Sequence, residues 1–162
     1  LFECRHAITS LCYTPDGTFL LTAGRKDDDI ICWDLRSPGK IYSLYRRPSQ
    51  TNQKIHFDMD SSGHYLFSGS TTGDLYIFDL KSTNGPEQPT PAVVKVSQAH
   101  RAALCGVSVN KERAVVATCS GQRVFPFPEL DDVEVVDENG TYEDTNSPEF
   151  YDNSLALWDL QV

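Results

Sequence analysis

The sequence lacks any apolar run close to the roughly 18 residues that a membrane-spanning helix needs, so we expect no membrane contact. It also lacks a Cys-x-x-Cys pair, and its five cysteines are scattered singly at Cys4, Cys12, Cys32, Cys105 and Cys119. Zinc sites need clustered ligands, and disulfide frameworks usually have an even number of cysteines. We therefore expect no metal or other cofactor, and reduced cysteines in an intracellular protein.

Basic residues are missing from the last part of the chain. Residues 129–162 hold 11 acids and no Lys or Arg, whereas residues 1–128 hold all 14 basic residues with 12 acids. The net charge of −9 thus comes from one segment, and the rest of the chain is nearly neutral. The acidity of the whole chain therefore does not argue against a nucleic-acid ligand for the first 128 residues.

One pattern occurs three times: a short apolar strand that closes on an aromatic residue, an aspartate and a leucine, at residues 30–35, 75–80 and 155–160. The first two aromatic residues, Trp33 and Phe78, lie 45 positions apart, and Trp158 follows 80 positions later. A period of about 40–45 residues is typical of WD repeats. The third repeat is therefore predicted to carry an insertion.

Further strands flank each copy of this pattern. Tight turns are predicted at residues 14–17, 60–63 and 110–113, where Pro, Asp, Asn and Gly favour turn dihedral angles. Strands are predicted at residues 8–13, 18–23, 41–45, 54–59, 64–67, 92–97, 104–109 and 114–119. Four short strands per unit are typical of a β-propeller blade. The fold class is therefore all-β: a WD-repeat β-propeller fragment of about three four-stranded blades.

We place the first blade at residues 1–35, after an incomplete outer strand, and the second, degenerate blade at 36–80. The third is placed at 81–162, with an acidic insertion at about 121–151. Three blades do not close a ring, because propellers have about four to eight. Since the chain also begins inside a repeat, at Leu1, we expect it to be a piece of a longer protein that supplies further blades.

Polar residues at fixed positions predict a hydrogen-bonded network that joins the strands of each blade, since buried polar groups need partners. The second repeat has Phe78 in place of Trp and Thr72 in place of Asp. In the first and third repeats the expected members are His6, Asp27, Trp33, His100, Thr118, Asp152 and Trp158. The alternative is that a His and an Asp form a catalytic dyad. The structural role accounts for each residue at its spacing, and no catalytic triad or phosphate-binding loop is evident, so we expect no enzyme.

Several runs outside the generic repeat resemble the telomerase Cajal body proteins, a WD-repeat family. The matching runs lie at residues 23–36, 51–58, 68–73 and 117–126. Thr51-Asn52-Gln53 and the Gly-Gln-Arg-Val-Phe-Pro run at 121–126 are the specific part, since generic WD repeats do not share them. The resemblance covers nearly the whole chain, in order, and matches the C-terminal blades of that family's propeller.

The resemblance implies a non-catalytic RNA-binding scaffold. That family binds a short sequence box in the terminal loops of small Cajal-body RNAs, including vertebrate telomerase RNA. It brings these ribonucleoproteins to Cajal bodies in the nucleus and supports telomere maintenance, with dyskerin and the other box H/ACA proteins as partners. The alternative is a generic WD-repeat platform for protein partners that binds no RNA. A propeller hydrolase would need acids and bases that converge on the central channel.

Propeller topology places alternate loops on one face, and basic residues gather in these loops. Cations hold RNA phosphates, and aromatic rings stack on splayed bases. The candidate RNA-binding residues are Arg25, Lys26, Arg46, Arg47, Lys54, Arg101 and Arg123, with Tyr45 and Phe125 as stacking rings. The alternative is that these are ordinary solvated loop charges. The acidic insertion is predicted on the same face, and such a long loop is usually functional or disordered. We expect a disordered surface loop at about 129–150; the alternative hypothesis is that its acids screen the basic residues against non-specific RNA.

Overall fold

The computed structural model describes Cys4, residues 6–121 and residues 152–160. Within these residues the chain forms eleven β-strands in three antiparallel sheets. In the same part of the chain there is no helix able to cross a membrane. The predicted all-β class is confirmed.

The three sheets follow one another along the sequence. Sheet 1 has the order β1 (Ile8–Tyr13), β2 (Phe19–Gly24), β3 (Asp29–Asp34) and β4 (Ile41–Arg46). Sheet 2 has the order β5 (Phe57–Met59), β6 (Tyr65–Ser68), β7 (Leu75–Asp79) and β8 (Val94–Val96). Sheet 3 has β9 (Leu104–Val109), β10 (Val115–Ser120) and β11 (Leu155–Asp159), so its described part contains three strands rather than the expected four.

The outer strand of a sheet comes after the aromatic–Asp pattern, not before it. β4 pairs with β3, where Leu44 lies opposite Ile31, and β8 pairs with β7, where Val94 lies opposite Ile77. The predicted blade boundaries at 35/36 and 80/81 assigned these two outer strands to the following blade, and that assignment is corrected. Each sequence repeat ends at the third strand of a sheet, and the fourth, outer strand follows it in the sequence. The chain then passes from this outer strand to the innermost strand of the next sheet, so a repeat and a sheet differ by one strand.

The predicted turns close the inner hairpins. Gly17 and Gly63 both have positive φ, at 69° and 66°, which a tight turn requires and glycine adopts without strain. The N–H of Gly17 donates to the Thr14 carbonyl oxygen at 2.8 Å. The third turn is held instead by the Asn110 side chain, which accepts from the N–H of Glu112 at 2.9 Å.

The core lies between the sheets. Sheets 1 and 2 enclose a cluster that includes Leu21, Ile30, Tyr45, Phe57, Leu66 and Phe78. The second cluster, between sheets 2 and 3, contains Phe67, Leu75, Leu104, Val109 and Val116. Alternating side chains along β6 therefore serve both clusters, as the two-residue period of a strand requires. Each fully buried side chain contributes about 1.5–3 kcal/mol, so packing between the sheets is a major stabilising term.

The outer faces of sheets 1 and 3 carry exposed apolar side chains. Leu11 and Tyr13 on β1 are 62% and 59% exposed, and Leu155 and Leu157 on β11 are 73% and 69% exposed. Sheet 2, by contrast, is covered on both sides. These two faces therefore carry apolar surface of the kind that packs against another sheet.

Candidate nucleic-acid interface

The connections that follow β2, β4, β6, β8 and β10 lie at one end of the strands, because consecutive strands are antiparallel. We call this end the basic loop face and define it by four exposed cationic residues: Arg25, Lys26, Lys54 and Arg101. Lys26 has a φ of 54°, and its N–H donates to the Thr51 carbonyl oxygen at 3.2 Å. The loop that carries Arg25 and Lys26 is therefore fixed to the connection between sheets 1 and 2.

Arg46 is exposed but already paired. Its Nε and Nη2 atoms donate to the two Asp29 carboxylate oxygens at 2.7 and 2.9 Å. The hydrogen bond to Asp29 raises the pKa of Arg46 above its ordinary value. Sheet 2 contains an equivalent pair, Lys95 and Asp74, with 3.0 Å between Nζ and Oδ2. Arg46 therefore joins β4 to β3. The negative charge of Asp29 weakens the attraction of Arg46 for a phosphate group.

Tyr45 and Arg47 do not lie on the basic loop face, and their predicted RNA contact is wrong. They are 0% and 1% exposed, and the Tyr45 ring packs on Phe78 with the centroids 5.5 Å apart. The cause is the two-residue period of the strand: Ser43, Tyr45 and Arg47 point toward sheet 2, whereas Arg46 points to solvent.

The buried Arg47 side chain joins sheet 1 to sheet 2. Its Nε donates to Ser68 Oγ at 2.7 Å, and its Nη1 donates to the Asp27 carbonyl oxygen at 3.1 Å. Burial lowers the pKa of Arg47 to about 10, although the nearby carboxylates of Asp28, Asp27 and Asp29 act in the opposite direction. Asp28 accepts from the N–H of Ser49 at 2.7 Å, so the acidic triplet holds the loops together.

The Thr51-Asn52-Gln53 run links the three sheets. Gln53 Nε2 donates to the Gly121 carbonyl oxygen at 2.7 Å, and the N–H of Gln53 donates to Thr51 Oγ1 at 3.1 Å. Thr51 also accepts from Lys26, as described above. These contacts account for a run that departs from generic repeats. Arg123, Phe125 and the acidic insertion after Gly121 lie outside the described residues.

In sheet 3 the predicted network residues lie together. Thr118 Oγ1 accepts from Trp158 Nε1 at 2.7 Å and lies 2.7 Å from His100 Nε2. His100 Nδ1 lies 2.7 Å from Ser154 Oγ, and the sequence reasoning missed Ser154. His100 and Thr118 are 5% and 1% exposed, so these bonds lie in the interior.

Asp152 has a different role from the one that a catalytic dyad requires. Its Oδ2 accepts from the N–H groups of Arg101 and Ala102, at 2.6 and 3.1 Å. Hydrogen bonds, first that of the Ser154 side chain, lower the pKa of Asp152 to about 2. The carboxylate thus fastens the start of β11 to the connection before β9.

The network in sheet 1 is smaller than predicted. Trp33 Nε1 donates to Thr22 Oγ1 at 2.9 Å, and Asp27 accepts from the N–H of Asp29 at 3.0 Å. His6 is exposed, and its ring takes no part in the hydrogen bonds of the described residues. The hydroxyl that accepts from Trp33 belongs to Thr22, which the sequence analysis did not name as a member of the network.

A hydroxyl occupies the same register in each sheet. On the strand that faces the aromatic residue of the repeat pattern, one residue lies directly opposite that ring, and the hydroxyl follows two residues later. The three hydroxyl positions are Thr22, Ser68 and Thr118. In sheets 1 and 3 the hydroxyl accepts from the tryptophan N–H. In sheet 2 the aromatic residue is Phe78, which has no N–H, and Ser68 accepts from Arg47 instead. Arg47 therefore supplies the donor that the degenerate repeat lacks.

Within the described part of the chain, no three His, Cys, Asp or Glu side chains are placed to hold a metal ion. The chemistry of the basic loop face is therefore that of four exposed cations on an ordered backbone. Such a surface can bind phosphate groups.

Comparisons with known proteins agree with this architecture. The model of the WD domain, G-beta repeat, matches residues 2–34. The chain is 40% identical over 121 residues to Telomerase Cajal body protein 1 of Mus musculus, which covers 75% of this chain and 23% of that protein. It is 41% identical over 122 residues to the Homo sapiens protein of the same name, with 75% and 22% covered. This chain therefore has the WD-repeat fold, and its sequence is similar to the telomerase Cajal body proteins.

The relationship extends to insects. The Telomerase Cajal body protein 1 homolog of Drosophila melanogaster is 30% identical over 168 residues, which covers 93% of this chain and 28% of that protein. The chain therefore spans about a quarter of the length of the curated relatives that it matches. The sequence resemblance to the telomerase Cajal body proteins is confirmed.

Solved propellers show the same fold. The structure of U3-55K aligns with a TM-score of 0.59 at 23% identity, over 75% of this chain and 35% of that one. The RRP9 WD40 repeats align with a TM-score of 0.59 at 22% identity, over 75% and 34%. At these identities the likeness concerns the fold alone.

Proposed function

We propose that this chain is part of an RNA-binding scaffold that recognises small Cajal-body RNAs, telomerase RNA among them. The scaffold would deliver these ribonucleoproteins, together with dyskerin and the other box H/ACA proteins, to Cajal bodies in the nucleus and so support telomere maintenance. The observation that carries this proposal is the 40% identity to Telomerase Cajal body protein 1 over three-quarters of the chain.

The charge distribution supports RNA as the ligand. Arg46 and Arg47 offset two of the three charges of Asp27, Asp28 and Asp29, to which they lie close. Arg25 and Lys26 extend from the same loop and exceed the remaining acid, and Lys54 and Arg101 add to them. Lys95 and Asp74 pair with each other, and Asp152 beside Arg101 removes one further positive charge. The described loops at this end of the strands thus hold seven Lys or Arg against five Asp, a net charge of +2, although the whole chain carries −9.

The proposal predicts that cations on this face hold phosphate groups. Replacing Arg25, Lys26, Lys54 and Arg101 with Ala in the full chain should weaken binding to a small Cajal-body RNA transcript by about tenfold or more. Each lost phosphate contact lowers the slope of log K against log salt by about 0.7 for single-stranded RNA, so the slope should fall by about 2–3. Filter binding at several salt concentrations measures both quantities.

A matched control removes the same number of arginines and lysines from the opposite end of the strands: Arg36, Lys40, Lys81 and Arg113, all exposed. This control has the same change in net charge, so it should bind RNA as the unmodified chain does, apart from a weak long-range effect. If both sets weaken binding equally, the basic loop face has no special role. If neither has an effect, the chain is a platform for protein partners.

A further inference from the structure

Two cysteine thiols lie on neighbouring strands of sheet 3. Cys105 is near the start of β9, and Cys119 is near the end of β10, so both lie toward the same end of the sheet. Both are partly exposed, and both are free thiols in this structure. Neither belongs to the basic loop face or to the hydrogen-bonded network around His100, so the pair has no role in the function proposed above.

A β-bulge brings the two side chains to the same face of sheet 3. Cys119 lies opposite Gly106 in the ladder between β9 and β10. The next pair is Ser120 and Leu104, so Cys105 is the extra residue of the bulge. Two residues of a bulged strand oppose one residue of the partner strand, so Cys105 and Gly106 both face Cys119. Cys105 Sγ accordingly lies 3.7 Å from the Cys119 carbonyl oxygen.

The Cys119 thiol occupies space that only a glycine leaves open. A Cβ atom at Gly106 would overlap Cys119 Sγ. Burial raises the pKa of the Cys105 thiol above its ordinary value, and the nearby Cys119 acts in the same direction through its charge and through a hydrogen bond between the two side chains. The two sulfur atoms are therefore within hydrogen-bonding reach of each other.

The backbone spacing at the bulge permits a disulfide bond. Residues that face each other on antiparallel strands have Cα atoms about 4.5–5.5 Å apart, and disulfides span roughly 4.4–6.8 Å. Cys12 and Cys32 are an internal comparison, because both lie opposite Leu21, one on each side of β2. Two strand spacings separate them by about 9.5 Å, which is beyond the reach of a disulfide.

The pair lies beside the hydrogen bond that joins Gln53 to Gly121. A Cβ atom at Gly121 would be 3.6 Å from Cys105 Sγ. A hydrogen bond between the Gln53 side chain and the Cys105 thiol opposes the effect of burial on the pKa of this thiol. A bond from Cys105 Sγ to Cys119 would change this contact, so the side-chain amide of Gln53 reports the state of the pair.

We propose that Cys105 and Cys119 form a reversible dithiol–disulfide modification site, oxidised by a low-molecular-weight disulfide such as oxidised glutathione. One thiolate attacks a sulfur atom of the glutathione disulfide, and one glutathione thiolate leaves. The second thiolate attacks the cysteine sulfur of this mixed disulfide, so the internal S–S bond forms and the second glutathione leaves. The two thiol protons pass to the two leaving thiolates, and the two electrons reduce the oxidant. Reduced glutathione reverses both steps.

The test equilibrates the folded full chain with mixtures of reduced and oxidised glutathione, followed by an acid quench and trypsin digestion without reductant. Cleavage after Lys and Arg places each cysteine in a peptide of its own, with Cys105 in residues 102–111 and Cys119 in residues 114–123. Mass spectrometry should show these two peptides joined, with the loss of two hydrogen atoms. Ring closure is intramolecular, so the joined form should exceed the mixed disulfide of glutathione with Cys12 by about tenfold.

Single substitutions control the test. Cys105→Ser and Cys119→Ser should each abolish the joined peptides and leave glutathione on the remaining thiol. Cys12→Ser removes a partly exposed thiol from sheet 1 and should leave the joined peptides at the level of the unmodified chain. In NMR spectra of the unmodified chain, the side-chain amide signal of Gln53 should shift on oxidation and return when reduced glutathione is added.

Two results would overturn the proposal. One is that Cys105 and Cys119 stay reduced, or carry one glutathione each, in the most oxidising mixture. The other is that peptides of Cys12 and Cys32 are joined as abundantly as those of Cys105 and Cys119, which means that the chain is oxidised while unfolded. The RNA-binding proposal is independent of both results, because neither thiol belongs to the basic loop face.

Discussion

In each sheet, a hydroxyl side chain at the equivalent position accepts a hydrogen bond from another side chain. The residue that donates this hydrogen bond differs from sheet to sheet. Thr118 serves two partners, His100 and Trp158, whereas Thr22 accepts from Trp33. All of these groups but Trp158 are buried. The loss of one hydroxyl therefore leaves more unsatisfied groups in sheet 3 than in sheet 1.

Replacing Thr118 with Val keeps the volume but removes both interactions. We expect the free energy of unfolding to fall by about 2–4 kcal/mol, because a buried group left without its partner costs about 1–3 kcal/mol. Thr22→Val is the matched control, and it should cost about 1–2 kcal/mol less. Urea denaturation of the folded chain measures both, and equal losses would contradict the network described for sheet 3.

Arg47 and Arg25 should show opposite effects although both are arginines near the same loop. Arg47→Ala removes a buried side chain and its bonds to Ser68 and Asp27, so we expect a loss of about 3 kcal/mol in stability. Arg25→Ala, at an exposed position, should change stability by less than about 0.5 kcal/mol but weaken RNA binding. Denaturation and RNA titration, carried out on both variants, separate the two roles. A stable Arg47→Ala chain with weakened RNA binding would restore Arg47 as a direct RNA contact.

The strands themselves were largely predictable, because the repeat fixes their order and alternation fixes their faces. β1 and β9 have the predicted bounds, and the others differ by one to three residues. The repeat alone did not show to which sheet the outer strands belong. The hydrogen bonds between β3 and β4 place β4 in sheet 1. The site was predicted less well: basic composition located the loops, but it did not reveal that Tyr45 and Arg47 point inward.

The loop between β6 and β7 depends on a glycine. Gly73 has a φ of 78°, and a Cβ atom there would overlap the His100 carbonyl oxygen. Gly73→Ala should therefore cost about 3 kcal/mol or more, through both dihedral strain and displacement of the backbone before β9. Gly17→Ala, with a φ of 69° and open space around it, should cost only about 1 kcal/mol. Thermal denaturation compares the two, and equal costs would mean that this contact between sheets 2 and 3 is loose.

Across the whole chain, positive and negative charges are separated along the sequence. All Lys and Arg residues lie within residues 1–128, and residues 129–162 carry acids only. The basic loop face joins three sheets through the 47–56 connection, and the acids of residues 129–162 follow it in the sequence. The exposed apolar side chains on the outer faces of sheets 1 and 3 lie on the sides of the stack, away from both ends of the strands. Among the described residues, the packing of the sheets on one another therefore leaves Arg25, Lys26, Lys54 and Arg101 exposed.

Crosslinking in cells that express the full protein, followed by sequencing of the bound RNA, tests the central claim most directly. The account predicts enrichment of small Cajal-body RNAs, with crosslinks reduced by the Ala replacements at Arg25, Lys26, Lys54 and Arg101. Crosslinking at background level for every RNA class, from a folded and normally expressed protein, would contradict it and leave a WD-repeat platform for protein partners.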